Sequence, residues 1–487
     1  MKKNILLALS LTAFMACDNK DDYASNDPNA RPDAPTCYDV NDTKQTYATY
    51  FSPKDAWVGD PMPFYDNGTF YVYYLYDQRP AGATFHPWHL ATTSDFITYE
   101  DKGEAIACGT ADSQEKALGT GSLFKDGNTY YAFYTAHNAE KDPKEWIYLA
   151  KGTDPLHLTK DTSFAFRAPD GYDRNEFRDP IVYKEGNAYK MLLSTRADVG
   201  GGVWKGVVAK FTSTDMKKWE KDTAEPFFYT EDTAFMVECP DVFTMGAYQY
   251  LIYSNINTRR VQYKYRKVGE TAWTTPANAD LNDVAFYAGK TVSNGAARYL
   301  VGWVPTRDGY KDGGNYHWGG SLAVHSLTQN SDGSLSVSLP KTFESLSSLT
   351  SGLDAVTLSE QTKEKVYPRL SKGFHKLTTT IKADTATKFG LMFGACGNLS
   401  ETYRLTLNLT EKKLQLVKVK TGDAPVVVNS LDLSTTADKQ YQLQIALEGS
   451  IATAYVNGKS ALSFRVYKMN QNPWGIFVGN GSATFSF

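Results

Sequence analysis

Cysteine is scarce in this chain, with five in 487 residues at positions 17, 37, 108, 239 and 396. None stands in a Cys-x-x-Cys pair, which excludes a zinc-ribbon or thioredoxin-like site. Apart from Cys17, four widely spaced cysteines remain. A disulfide among them is compatible with an exported protein, but spacing does not pair them. The seven histidines show no pair at metal-ligand spacing, and His86 with His89 is too weak a signal. No metal and no cofactor is therefore expected. The net charge of −3 implies no strong field, and no basic patch is interleaved with aromatics. Nucleic acid is accordingly not an expected partner. Between about residues 50 and 340 no amphipathic helical pattern competes with strands.

The one long apolar run lies at the start. Lys2 and Lys3 precede Ile5 to Met15, followed by Ala16 and Cys17. This is a signal peptide over residues 1–16, too short to span a membrane. A cysteine directly after small and apolar residues resembles a bacterial lipoprotein cleavage site. That resemblance implies a mature chain starting at Cys17 and lipidated there, exported and anchored at the outer membrane, at the cell surface. The stretch Asp18-Asn19-Lys20-Asp21-Asp22 resembles the export signal of surface lipoproteins. To about Pro35 the composition is Asp, Asn, Ala and Pro, which cannot build a core. Residues 17–45 read as a flexible tether.

What the chain has in abundance is aromatic residues, 32 Tyr and 25 Phe, and these favour strands. They recur in units of about sixty residues. Units begin near Asp60, Ser122, Asp179, Pro240 and Ala285, each a short strand, a Gly-containing turn and a second strand. Asp66-Asn67-Gly68 and Asp126-Gly127 are strong hairpin signals. A second strand pair follows each unit, as from Trp88 to Tyr99 and from Val261 to Trp273. Two hairpins per unit make a four-stranded sheet, and five such sheets make a five-bladed β-propeller over residues 46–340. After about residue 340 the repeat stops. Short strands of period two then predict a β-sandwich over 341–487. The expected class is all-β.

Three acidic phrases punctuate the propeller: Gly59-Asp60-Pro61, Arg178-Asp179-Pro180 and Glu238-Cys239-Pro240. Asp60 and Asp179 are 119 residues apart, and Asp179 and Glu238 are 59 apart. Carboxylates at equivalent points of a closed repeat face one another at one mouth of the funnel. Facing carboxylates are what glycoside hydrolysis requires.

In order and type these phrases resemble glycoside hydrolase family 32, the β-fructosidases, over roughly residues 50–487. Arg178-Asp179-Pro180 and Glu238-Cys239-Pro240 match that family's signatures intact, and Trp57 to Pro63 stands in place of its first. Gly119-Thr120-Gly121-Ser122 resembles its Phe-Ser-Gly-Ser loop. Trp88-His89-Leu90-Ala91, Phe286 to Lys290, Gly302-Trp303 and Trp318-Gly319-Gly320 resemble further stretches. The resemblance implies Asp60 as nucleophile, Glu238 as acid/base and Asp179 as the carboxylate that binds sugar hydroxyls. It also implies substrate contacts from Arg178, Trp88, Thr120, Ser122 and Trp318, with an oligo- or polysaccharide as partner. Cys239 reads as a packing residue beside the acid.

The chain departs from the family pattern at several points. Gly59 replaces an Asn, Met62-Pro63 an Asn-Gly, Leu75 a Gln, and Gly119-Thr120 a Phe-Ser. A second reading follows, a non-catalytic or altered-specificity glycan-binding surface lipoprotein. A third keeps the enzyme with a pentose substrate.

Overall fold

The structure, a computed structural model, describes residues 37–38, 47–79, 86–223, 226–230 and 234–487. The expected signal peptide, the expected lipidation site Cys17 and most of the expected tether lie outside the described residues.

The chain folds as a β-propeller followed by a β-sandwich. Propeller sheets are antiparallel meanders that start with strands Trp57–Asp66, Ala117–Asp126, Tyr172–Glu185, Val237–Met245 and Tyr287–Ser293. In each of the first four meanders the first strand turns tightly into the second. Asp66 pairs with Thr69 across Asn67 (φ 48°) and Gly68 (φ 84°), a two-residue turn with both residues left-handed. Gly127, Gly186 and Gly246 close the corresponding turns, also at positive φ. This is the physical basis of the sixty-residue repeat. The circle closes where Val58 of the first strand pairs with Gly320 of strand Tyr316–Gln329. That contact fuses the first and last meanders into one sheet.

The fourth meander departs from the two-hairpin expectation. It has three strands, ending at Arg260–Lys267, and the expected outer strand survives only as single bridges at Thr274 and Asp280. Pro276 lies between them, without an N–H to donate to a ladder.

Two six-stranded sheets form the sandwich around Leu391, Leu405, Leu443, Ile445 and Trp474. Its seam with the propeller is buried and polar at once. Arg465 is fully buried, and its guanidinium donates to the carbonyl of Pro305 at 2.7 Å and to Ser321 Oγ at 3.2 Å. Asn282 bonds Ser463, and His325 bonds Tyr455, across the same seam. Burial depresses the His325 pKa to about 3, so the ring is neutral there.

Spacing left the disulfide unassigned; the structure pairs Cys37 with Cys396, leaving Cys108 and Cys239 as free thiols among the described residues. Cys37 and Tyr38 fall inside the stretch expected to be a flexible tether. They are instead fixed to the sandwich, because Tyr38 N–H also donates to Asn472 Oδ1 at 2.7 Å.

Candidate active site

The first strand of each meander slips register beside a short central segment, and strand Tyr172–Glu185 slips a second time between Tyr172 and Phe177. The shared slips lie between Gly59 and Met62, Leu118 and Gly121, Arg178 and Ile181, Glu238 and Asp241, and Tyr287 and Lys290. Each is a β-bulge, which re-aims a side chain without ending the strand. The leading bulge residue is left-handed in four of the five: Asp60 (φ 28°), Asp179 (φ 61°), Cys239 (φ 51°) and Ala288 (φ 52°). Non-glycine residues held there cost on the order of 1–3 kcal/mol each, a strain that clusters at functional sites. The recurrent prolines find their reason here. Pro61, Pro180 and Pro240 occupy the slip itself, where no ladder N–H is needed.

This register corrects the expected equivalence of the three acids. Asp60 and Asp179 align with Cys239, whereas Glu238 aligns one residue earlier, with Gly59, Arg178 and Tyr287. The acids therefore occupy two adjacent tiers. In one tier Glu238 Oε1 accepts from Arg178 Nη2 at 3.1 Å, and Oε2 accepts from the Tyr287 hydroxyl at 2.9 Å. Burial and the charge on Glu238 raise the Tyr287 pKa, which keeps the phenol protonated as a donor. In the other tier Asp60 Oδ2 accepts from Thr120 Oγ1 at 2.8 Å, and Oδ1 accepts from Trp303 Nε1 at 3.0 Å. Asp179 Oδ2 accepts the Cys239 N–H at 2.8 Å.

Electrostatics ties the tiers together. Asp60 keeps some accessible surface, yet protein surrounds it on nearly every side. Burial, reinforced by the charge on Glu238, raises its pKa to about 6, against the two hydrogen bonds. Burial likewise lifts Asp179 above the ordinary carboxylate range; Arg178 opposes the rise, and Glu238 and Asp60 add to it. The Cys239 thiol is pushed far up by burial and by all three carboxylates, so it is no nucleophile.

Other expected contacts fall differently. Arg178 sits in the site but is largely consumed by ion pairs, with Glu145, Glu176 and Glu238. Thr120 is buried and spends its hydroxyl on Asp60, so it holds a carboxylate rather than a sugar. Trp88 was expected to contact the substrate. It is instead wholly buried between the first two meanders, its Nε1 donating to the Gly119 carbonyl at 2.9 Å. Ser122 was expected at the substrate too. It lies beyond the slip, accepts the Val182 N–H at 3.3 Å, and lines an axial cavity of about 310 Å³ with Met62, Asp241 and Lys290. The acids do not line that cavity.

Trp318 stands beside the acids, edge-to-face with Trp303 at 6.1 Å and 4.5 Å from the His86 ring. It also explains why position 59 is glycine. A β-carbon on Gly59 would lie 2.2 Å from the indole. Leu75, which pairs with Gly59, packs into the same cluster as Trp88 and Trp318. Gly119, the acceptor for Trp88, would bring a β-carbon to 3.0 Å from Thr135. The three departures from the family pattern thus belong to one refitted wall. Gly59→Ala is expected to cost about 1–3 kcal/mol of transition-state binding by displacing the ring. Trp318→Ala in the same chain should recover part of that loss. A double-mutant cycle on kcat/KM measures the coupling, and strict additivity would separate the two residues.

Tyr287 and Trp303 are the site residues for which the sequence reading assigned no role. Both lay in recognised stretches, but only the three-dimensional register shows that Tyr287 shares the tier of Glu238.

Carboxylates from three separate sheets, each oriented by its own donors and each altering the others' charge, define a glycoside hydrolase site on a propeller. Comparison with known families agrees. The glycosyl hydrolases family 32 N-terminal domain matches residues 50–336, and a GH32, BT1760-like, C-terminal domain matches 328–487. The chain belongs to glycosyl hydrolases family 32. Among curated relatives, the sucrose-6-phosphate hydrolase of Staphylococcus xylosus is 22% identical over 90% of both chains. A levanbiose-producing levanase of Bacillus subtilis is 29% identical over 41% of this chain and 38% of its own. Fructan 1-exohydrolase IIa from Cichorium intybus superposes with a TM-score of 0.70 at 17% identity, covering 92% of this chain and 97% of that one.

Proposed function

We propose that this chain hydrolyses β-fructosidic bonds of fructans with retention, through a covalent fructosyl-enzyme. The carrying observation is the coupled set of Asp60, Asp179 and Glu238, reached from three sheets and held by Thr120, Trp303, Arg178 and Tyr287. Asp60 attacks the anomeric carbon. Its two donors aim the carboxylate, and a pKa near 6 leaves it ionised at neutral pH. Glu238 protonates the leaving oxygen and then takes a proton from water. Asp179 holds ring hydroxyls and balances the positive charge that develops on the sugar. The five meanders read as five blades, and the intact acids favour hydrolysis over a binding-only role.

The relatives named for sucrose-6-phosphate and levan support fructosyl substrates. Export with a lipid anchor at Cys17, at the outer cell surface, is part of this reading. The Cys37–Cys396 disulfide supports an oxidising compartment. The deciding assay offers purified protein levan, inulin, sucrose and arabinan, with products separated by chain length. Release of fructose or fructo-oligosaccharides is expected, and cleavage of arabinan alone would overturn the substrate class. Loss of membrane fractionation in Cys17→Ala tests the anchor.

A further inference from the structure

Among the described residues Arg259 is a cation with no acid. It sits in the turn that precedes strand Arg260–Lys267, left-handed at φ 54°, where Asn255 Oδ1 caps the N–H groups of Asn257 and Thr258. Its guanidinium carbon lies 5.7 Å from the Tyr287 ring, 5.5 Å from the Trp303 ring and 5.9 Å from the Tyr316 ring. Nη2 donates to the His317 carbonyl at 2.7 Å, next to Trp318. Among the described residues the buried Nε has no partner and no carboxylate faces Arg259. Burial lowers its pKa, which only the neighbouring phenols oppose. A desolvated charge left this way is costly, and a buried donor without an acceptor needs a reason.

Position supplies the reason. Two of the three rings around Arg259 are those whose polar ends hold the reacting carboxylates: Tyr287 on Glu238 and Trp303 on Asp60. The acid/base protonates the oxygen of the departing sugar, so the departing sugar lies on the Tyr287 side of the pit. We propose that Arg259 is a specificity-determining residue that binds the hydroxyls of the departing, uncharged sugar unit. This rests on the hydrolase reading above. With Nη2 anchored on the His317 carbonyl, Nη1 is the end of the guanidinium left to donate to sugar hydroxyls, and the aromatic walls keep it from collapsing onto the three acids.

The test compares wild type, Arg259→Lys and Arg259→Met on levan oligosaccharides and on p-nitrophenyl β-fructofuranoside, whose leaving group has no sugar hydroxyls. Arg259→Met should lose ~10–100-fold in kcat/KM on the oligosaccharides and less than about threefold on the aryl fructoside. Arg259→Lys should recover only part of the loss. An equal loss on both substrates would assign the residue a structural role, and no loss would remove it from the site. A kcat/KM for sucrose 6-phosphate far above that for sucrose, abolished in Arg259→Met, would overturn the uncharged-sugar assignment in favour of a phosphate. Calorimetric binding of levan oligosaccharides to Asp60→Asn, with and without Arg259→Met, separates this inference from the reaction itself. About tenfold weaker binding is expected in the double variant, and equal affinity would overturn the inference even if the enzyme proved inactive on every fructan.

Discussion

Asp60→Asn is expected to abolish turnover and, at the same time, to make the fold more stable at pH 7. Losing the nucleophile should cost at least ~10⁴-fold in kcat. Asparagine keeps the shape, and both hydrogen bonds survive if the Thr120 hydroxyl turns to accept from the new amide. What disappears is the cost of a buried negative charge near Glu238. The folded-state pKa of about 6 stands above the ordinary carboxylate value, so the native state binds this proton more tightly than the unfolded chain. The group therefore supports the fold fully below about pH 4, and that support is lost as pH rises through about 6. A shift of about two pKa units corresponds to about 3 kcal/mol at neutral pH. Calorimetric melting of both proteins from pH 4 to 8 should show equal stability at the acid end. A gap favouring the variant should then open toward pH 6. An active Asp60→Asn enzyme would remove the nucleophile assignment. A variant that melts below wild type at pH 7 would show that Asp60 is not strained in its charged form.

Glu238→Gln is expected to produce the second-largest effect, with a signature of its own. On fructans the loss should be ~10²–10⁴-fold, since the leaving oxygen is no longer protonated. On p-nitrophenyl β-fructofuranoside the first step needs little acid assistance. The fructosyl-enzyme should form and then stall, because no base activates water. Stopped-flow traces should show a burst of nitrophenol close to one equivalent, followed by a slow steady rate. Arg178 retains Glu145 and Glu176 as partners in this variant, so the fold should hold. Absence of the burst, with the same loss on both substrates, would point away from an acid/base role.

The repeat was legible because its turns are chemically constrained. Asn67-Gly68, Gly127, Gly186 and Gly246 stand where the backbone is left-handed, and few residues tolerate that. The acids were legible as residues but not as a constellation. Their two-tier offset comes from bulges, and a bulge shifts register by an amount that strand periodicity does not reveal. Trp88 shows the other limit. Its ring is swallowed between two meanders, and whether a tryptophan at a strand start points inward depends on the neighbouring sheet. The Cys37–Cys396 pair spans 359 residues, beyond any local signal. Arg259 was invisible for a similar reason. An arginine in a hairpin turn is an ordinary sequence feature until the rings of Tyr287, Trp303 and Tyr316 are seen around it.

The five register slips have a consequence for how such an enzyme changes over time. Paired residues resume on either side of each slip, so the wheel's mechanical integrity does not depend on which side chain projects there. Ligand preference can drift one spoke at a time while the hub stays assembled. Gly59, Leu75 and Gly119 are one such set of changes, confined to a single sector of the rim beside Trp318 and Trp88.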